Sequence, residues 1–262
     1  MQNDPPITRT LSTPQTIARW AEMLLIFFAT PGFVAMLTDP KERAKPLFES
    51  MGLGLMYKIG QEAIAFLIPT LIVIGLIAAL FLLRDKAFEN RRLWNARAAR
   101  RDMPRILGIF VAGALAMLGA AWALATYTDI MSFTTGDGRT ISAFLRLPRE
   151  APIILIFIAI GYPWFSCYPQ EITHRAYFFH RYEPLMSTPW LIATNTLAFG
   201  WLHAPFWSIE ALALTLPGGL LFAWTYHRTQ STLAVTIEHA LYGWWAFFTG
   251  LGWFVFAGSI GT

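Results

Sequence analysis

The chain has 262 residues, of which 55% are hydrophobic and only 14% are charged. A soluble domain usually has about 25% charged residues, so this composition excludes an ordinary soluble globular protein. The net charge of +4 is modest and the basic residues lie between apolar runs, so a nucleic-acid partner is not expected. The single cysteine, Cys167, excludes an internal disulfide. We predict an all-α, polytopic helical membrane protein with membrane lipid as a partner.

The amino-terminal half contains three apolar runs long enough to cross a hydrocarbon core, at residues 18–37, 62–83 and 106–126. Pro31-Gly32 interrupts the first run. The segment 84–105 is the most basic part of the chain. Under the positive-inside rule this segment is cytoplasmic, and two preceding spans then place the amino terminus on the same side of the cell (inner) membrane.

The carboxy-terminal half begins with an apolar run, residues 151–166, that leads directly into the polar stretch 167–182. Pro163 and Pro169 predict a kink or break between the two. Three further spans are predicted at 190–206, 208–226 and 231–256. The total is seven transmembrane helices, or eight if the proline break separates two of them.

We predict two parts of the chain that meet at residue 150. Residues 1–150 are predicted to form the amino-terminal transmembrane helices and the basic cytoplasmic loop. Residues 151–262 are predicted to form the core that carries the chemistry. Since the two parts are expected to pack together, we predict one structural domain overall.

A carboxylate and a guanidinium stand close together in the polar stretch. Glu171 and Arg175 are four residues apart, so they share one face of a helix. Charged groups at bilayer depth are costly unless they are paired or face a cavity, and they commonly mark functional sites. The alternative is an interfacial helix end from which the basic side chains reach the membrane surface.

Two histidines lie at a depth similar to that of Glu171. With a helical rise of about 1.5 Å per residue, Glu171 lies about 16 Å from the cytoplasmic end of its span. His203 lies about 20 Å, and His239 about 12 Å, from the first residue of their spans. We therefore predict that Glu171, His203 and His239 face a shared polar intramembrane cavity.

Helical spacing adds supporting residues. Phe199 is four residues before His203 and is expected to form a wall beside the imidazole. Glu238 and His239 are about 100° apart around their helix. One of them is expected to face the cavity while the other supports a neighbour. Gly243, one turn after His239, is expected to let a backbone or substrate approach closely.

These residue types permit two chemistries. A carboxylate and a histidine can hold and deprotonate a water for attack on a carbonyl, while a second histidine stabilises the oxyanion. Alternatively, His203, His239 and Glu171 are a ligand set suited to catalytic zinc. The zinc signature His-Glu-x-x-His is absent, so no cofactor is certain and zinc stays an alternative.

Three ordered motifs resemble those of the CPBP intramembrane proteases, the Abi or CAAX-protease group that includes the Rce1 prenyl-protein endopeptidase. That family carries Glu-Glu-x-x-x-Arg, then Phe-x-x-x-His, then a histidine that is often part of His-x-x-x-Asn. The resemblance covers roughly residues 151–250. The corresponding stretches are Gln170-Glu171-Ile172-Thr173-His174-Arg175, Phe199-Gly200-Trp201-Leu202-His203 and His239-Ala240-Leu241-Tyr242-Gly243.

The resemblance implies a helical intramembrane fold whose cavity is open to the cytosol and to lipid. It implies hydrolysis of a peptide bond in a membrane-anchored protein or peptide, a class that includes CAAX-type substrates. Carried over by position, Glu171 and His203 activate water and His239 contributes to the oxyanion hole. These three residues are the expected catalytic set.

The sequence departs from the family pattern at two positions. Gln170 replaces the first glutamate, and a glutamine cannot take a proton from water at pH 7. Either Glu171 or Glu238 takes the role of base, or the enzyme is impaired. Gly243 replaces the asparagine, so another group must supply its hydrogen bond.

Two other functions therefore remain open. One is a catalytically impaired membrane immunity or scaffold protein of the same fold. The other is a proton-coupled transporter, because Pro217-Gly218-Gly219 resembles the interruption in transporter helices.

Overall fold

The computed structural model describes residues 11–61, 66–134, 136 and 138–255. A short 3-10 turn at Asn90–Trp94 carries the chain between the last two helices of the amino-terminal half. The helices of this half are α1 (Thr13–Leu37), α2 (Lys45–Ser50), α3 (Gly54–Gln61), α4 (Leu67–Arg84) and α5 (Ala96–Tyr127).

The carboxy-terminal half follows a small antiparallel hairpin of β1 (Ser132–Thr134) and β2 (Thr140–Ser142), in which Phe133 pairs with Ile141. The segment 127–150, between the apolar runs 106–126 and 151–166, thus contains two short strands. Its remaining helices are α6 (Arg146–Glu150), α7 (Pro152–Leu185), α8 (Thr188–Trp201), α9 (Ile209–Thr229) and α10 (Thr232–Thr249).

Of the described residues, five helices are long and apolar enough to cross a membrane, namely α1, α4, α5, α7 and α9. Helix α8 has only 14 residues. Helix α10 carries Glu238 and His239, which lower its hydropathy. Large apolar side chains of α4, such as Ile77 and Phe81 (each 58% exposed), are mostly not covered by protein. The prediction of a helical membrane protein is confirmed.

Parts of the expected organisation lie outside the described residues. These are the amino terminus at 1–10, the start of the second apolar run at 62–65, and residues 135 and 137. Residue 256, the end of the last run, also lies outside. Most of the remaining residues of the seven predicted runs lie in helices, but the run 190–206 leaves α8 after Trp201 and ends in a turn.

Of the kink or break expected between Pro163 and Pro169, the break does not occur. Helix α7 continues through both prolines by widening into π turns at Pro163–Cys167 and Ile172–Tyr177. A π turn inserts one extra residue and lets the helix accommodate a missing hydrogen-bond donor. The alternative of eight spans is therefore wrong, because α7 is one continuous helix.

Helix α9 is also continuous, although an interruption was expected at Pro217-Gly218-Gly219. Its glycines serve close packing instead. A Cβ added at Gly219 would lie 3.2 Å from the Phe199 ring and 3.2 Å from the carbonyl oxygen of Thr196. On α8, a Cβ at Gly200 would lie 2.5 Å from Leu216. Small residues therefore bring α8 and α9 together.

Side-chain contacts join the other helices around α7. The Glu22 carboxylate of α1 accepts hydrogen bonds from Tyr177, Arg181 and Tyr182, at 2.6–3.1 Å. Helix α10 packs on α5, where the Trp245 indole donates to the carbonyl oxygen of Ala114 at 2.8 Å. The division at residue 150 stays a prediction.

Candidate active site

A hydrogen bond between α7 and α10 forms the centre of the site. Glu171 Oε1 lies 2.7 Å from Nδ1 of His239. Glu171 Oε2 lies 3.2 Å from Nε of Arg175, so the same carboxylate also has a cation beside it. The side chains of Glu171 and Arg175 are completely buried. The expected proximity of Glu171 and Arg175 is present, and it compensates the buried charge.

Arg175 is held by contacts on other helices. Its Nη2 donates to the carbonyl oxygen of Gly219 at 3.3 Å. Its guanidinium lies 4.3 Å from the centre of the Phe199 ring and 5.6 Å from that of Phe222. A cation over an aromatic face is stabilised by the ring quadrupole, particularly where water is excluded. The guanidinium therefore fixes Glu171 on the side away from solvent.

The His239 ring is fixed from several directions. The carboxylate of Glu171 requires a proton on Nδ1, which leaves Nε2 as an acceptor in the neutral ring. The Tyr162 hydroxyl lies 3.2 Å from that Nε2. Phe222 stacks on the imidazole at 4.8 Å with an interplanar angle of 23°, and Phe199 meets it edge-on at 5.5 Å. A histidine held this way has one defined tautomer and orientation.

His203 lies in the turn that follows α8. Its Nδ1 is 2.9 Å from the carbonyl oxygen of Phe199, so Nδ1 is the donor and Nε2 is an acceptor. The imidazole packs against the Phe199 ring at 5.2 Å. The Phe199 ring therefore contacts His203, His239 and Arg175. Its spacing from His203 had predicted only the contact with the His203 imidazole.

A cavity of about 1470 Å³ opens beside these groups. Its lining is mostly apolar, and His203 and His239 both contribute to it. The structure thus brings the two predicted histidines to one cavity. At the other end of the cavity lie Arg146 and Glu150, which pair with each other at 2.6 Å.

Glu171 was expected to face the cavity, and it is not among the residues that line it. Gln170 lines the cavity, whereas Glu171 lies behind it and reaches the cavity only through His239. The Gln170 amide nitrogen donates to Ser166 Oγ at 2.9 Å, and its Oε1 is buried without a hydrogen-bond partner among the described residues. An amide thus lies where the family pattern has a carboxylate.

Glu238 lies on the other side of α10 and does not line the cavity. It is fully buried, and neither carboxylate oxygen accepts a hydrogen bond from the described residues. Arg105 acts on it electrostatically while donating to Thr225 at 2.7 Å and to Asp102 at 2.6 Å. Of the two adjacent residues, His239 therefore faces the cavity, and Glu238 is not placed to act as base.

Tyr162 was not identified from the sequence. Its ring fills the space above Gly243, where an added Cβ would overlap the ring and lie 2.6 Å from the hydroxyl oxygen. The close approach predicted at Gly243 is thus made by a tyrosine side chain rather than by a backbone or substrate. The available signal was a tyrosine ending an apolar run directly before Pro163.

The residues do not fit the zinc set that was an alternative. The described residues contain no group of three or more histidine, cysteine, aspartate or glutamate side chains that could hold a metal ion. Glu171 Oε1 is bonded to His239, and Nδ1 of His203 is bonded to a backbone carbonyl.

Comparison with known proteins supports the motif-based resemblance. A family model described as Rce1-like, type II CAAX prenyl endopeptidase, matches residues 150–245. The matched segment contains all three motifs and nearly coincides with the resemblance seen at 151–250, which is thereby confirmed. No curated protein and no solved structure gives a significant match to the chain.

Proposed function

Because residues 150–245 match the model of the Rce1-like type II CAAX prenyl endopeptidase family, we propose that this multi-pass membrane protein is an intramembrane endopeptidase. Its substrate would be a membrane-anchored protein or peptide. The observation that carries the proposal is the hydrogen bond of 2.7 Å between Glu171 and His239, at the wall of a cavity that also contains His203.

The proposed mechanism uses Glu171 through His239. The carboxylate holds Nδ1–H, so Nε2 is the acceptor that takes a proton from a cavity water when this water replaces the Tyr162 hydroxyl. His203 Nε2 is a second acceptor that holds the other hydrogen of this water. Phe199 and Phe222 restrict the His239 ring, which lowers the entropic cost of proton transfer.

Hydrolysis of the peptide bond proceeds by addition of water and loss of the amine. The water oxygen forms a bond to the carbonyl carbon, the carbonyl electron pair moves to its oxygen, and the water proton moves to His239. When the oxyanion collapses, the carbon–nitrogen bond breaks and the leaving nitrogen takes that proton. The products are a carboxyl group and an amine. In this proposal His239 is the base, rather than only the oxyanion group that the resemblance implies.

The cavity supports an apolar substrate. Its walls are mostly hydrophobic side chains, and its volume of about 1470 Å³ exceeds what a peptide bond and a water require. A CAAX-type membrane-anchored peptide is a substrate of this kind. We place the protein in the cell membrane with a cytoplasmic amino terminus, since the basic residues between α4 and α5 follow the positive-inside rule.

The test is cleavage of tethered fluorescent peptides by purified protein in lipid nanodiscs. We expect wild type to cleave, and Glu171→Gln and His203→Ala to lose about 10²–10⁴-fold in kcat/KM, the usual contribution of general acid–base catalysis. His227→Ala, an exposed histidine at the end of α9, is the control and retains activity. Full activity in both site variants would sink the assignment.

A second candidate is a catalytically impaired immunity or scaffold protein. The observation that favours it is Gln170, an amide on the cavity wall where the family pattern has a carboxylate. Such a protein would bind a membrane peptide and leave it intact. Crosslinking of a photoreactive peptide without cleavage, unchanged when Glu171, His203 and His239 are all replaced, would favour this candidate.

A further inference from the structure

The ring of Tyr162 and the missing side chain of Gly243 are complementary. An added Cβ at Gly243 would overlap the ring, so the ring occupies this place only because residue 243 is glycine. Edge-on contacts with His239 at 5.9 Å and Phe247 at 5.8 Å hold the ring in position. The side chain lines the cavity and is half-buried.

We propose that Tyr162 is the oxyanion donor of this site, replacing a hydrogen-bonding side chain at position 243. The assignment rests on the proposed function, because it concerns the oxyanion formed during peptide hydrolysis. The hydroxyl lies 3.2 Å from His239 Nε2, so the proposed base and the proposed donor are adjacent. Oxyanion donors act best when they are already oriented in a site that excludes water.

The hydrogen bond between Tyr162 and His239 gives the donor a defined timing. In the resting site the hydroxyl donates to the unprotonated Nε2. Nε2 has one lone pair, so the attacking water donates to it only when the hydroxyl has turned away, and once Nε2 has taken the water proton it can no longer accept from the hydroxyl. The hydroxyl hydrogen is then free for the oxyanion that forms in the same step. No covalent bond to Tyr162 forms or breaks.

This timing favours the transition state over the bound substrate. Until the attacking water takes its place at Nε2, the Tyr162 hydrogen is engaged with His239 and contributes nothing to substrate binding. During attack, it stabilises the new negative charge. An interaction made only in the transition state raises kcat and leaves KM nearly unchanged. This separation of kcat from KM distinguishes a donor from a residue that merely shapes the cavity.

The first test is Tyr162→Phe, which removes the hydroxyl and keeps the ring. We expect kcat to fall about 10²–10³-fold, as for loss of one oxyanion donor, while KM stays within about twofold. The matched control is Tyr168→Phe on the same helix, whose hydroxyl donates to the carbonyl oxygen of Leu93 at 3.4 Å, outside the cavity. It retains wild-type kcat. A Tyr162→Phe enzyme with wild-type kcat overturns the assignment.

The second test moves the hydrogen-bond donor from Tyr162 on α7 to position 243 on α10. Gly243→Asn alone overlaps the ring of Tyr162 and is expected to be inactive. Combining it with Tyr162→Ala clears the space and supplies an amide donor, so kcat should rise at least tenfold above that of Tyr162→Ala alone. A folded double variant no more active than Tyr162→Ala overturns the proposal.

A binding measurement separates this assignment from the proposed function. A peptide phosphonate carries the charge of the oxyanion and needs no turnover. We expect Tyr162→Phe to weaken phosphonate binding at least tenfold and to leave binding of the uncharged peptide unchanged. If wild type binds the phosphonate in this Tyr162-dependent way and never cleaves, the donor is supported and the endopeptidase proposal fails. Equal phosphonate binding by both proteins overturns the donor.

Discussion

Glu171 and His239 are 68 positions apart in the chain and share a hydrogen bond of 2.7 Å. The bond joins α7 to α10 at the wall of the cavity. Because Arg175 lies 3.2 Å from the other carboxylate oxygen, the buried charge of Glu171 is balanced and its orientation is fixed. A carboxylate in this position can orient the imidazole of His239. It does not line the cavity, so it is not placed to accept a proton directly from a water there.

The first prediction concerns Glu171→Gln. We expect cleavage to fall at least about 100-fold, because His239 loses the group that fixes its tautomer. Stability should fall by about 3–5 kcal/mol, because Arg175 is left buried without a counter-charge. Cleavage assays and thermal unfolding in the same nanodiscs measure the two effects.

The matched control for Glu171 is Glu238→Gln. This glutamate is also fully buried and precedes His239, yet it does not line the cavity. Its replacement should leave cleavage unchanged, because its carboxylate neither lines the cavity nor contacts His203 or the His239 ring nitrogens among the described contacts. Loss of cleavage in Glu238→Gln and not in Glu171→Gln would reverse the assignment of the supporting carboxylate.

The second prediction concerns Gln170→Glu. Position 170 lines the cavity directly, so a carboxylate there would contact the water that Glu171 does not reach. We expect kcat/KM to increase at least tenfold, within the range typical of an added general base. Gln170→Met has a similar size and no charge, and it should not produce the gain. If both variants lose activity equally, the amide itself is required.

The sequence predicted contacts within one helix better than contacts between helices. The spacing of Glu171 and Arg175 gave their pairing correctly, because i and i+4 lie on one helical face. It could not decide whether Gln170 or Glu171 faces the cavity. Two π turns, at Pro163–Cys167 and Ile172–Tyr177, flank this position, and each extra residue rotates the side chains away from the ideal helical register.

The contact between Tyr162 and Gly243 was unpredictable for a related reason. A glycine one turn after His239 indicated a close approach, which the structure contains. The identity of the approaching group depends on the relative rotation and depth of α7 and α10. Neither quantity follows from the periodicity of a single helix, and most side chains in both helices are apolar and equally compatible with several rotations.

The third prediction concerns Gly250, which ends α10 with a φ of 94°. An added Cβ would overlap the carbonyl oxygen of Ala143, and the backbone conformation also disfavours a side chain. We expect Gly250→Ala to lose about 1–3 kcal/mol of stability. Gly108→Ala in α5 is the control, since nothing lies within 4 Å of its added Cβ. Its thermal unfolding temperature should stay equal to that of wild type or rise, whereas that of Gly250→Ala should fall.

The fourth prediction concerns the segment that follows His203. The Asp39 carboxylate accepts from Arg43 Nε at 2.8 Å, and Arg43 lies 4.4 Å over the ring of Trp207. Trp207 in turn donates to the carbonyl oxygen of Ala35 at 2.8 Å. The end of α1 is thereby attached to the turn that carries His203.

A pH dependence follows, because the hydrogen bond from Arg43 holds the pKa of Asp39 below its usual range. The stabilisation is therefore complete above the ordinary aspartate pKa of about 3.9 and is lost as the pH falls through the lowered value. We expect Asp39→Asn to unfold at a lower temperature than wild type at pH 7, and the difference to shrink as the pH falls below about 4. Glu42→Gln, in an exposed pair with Lys45, should unfold like wild type at both pH values. A difference between Asp39→Asn and wild type that is the same at pH 7 and at pH 3 would show that the ionised carboxylate does not stabilise this attachment.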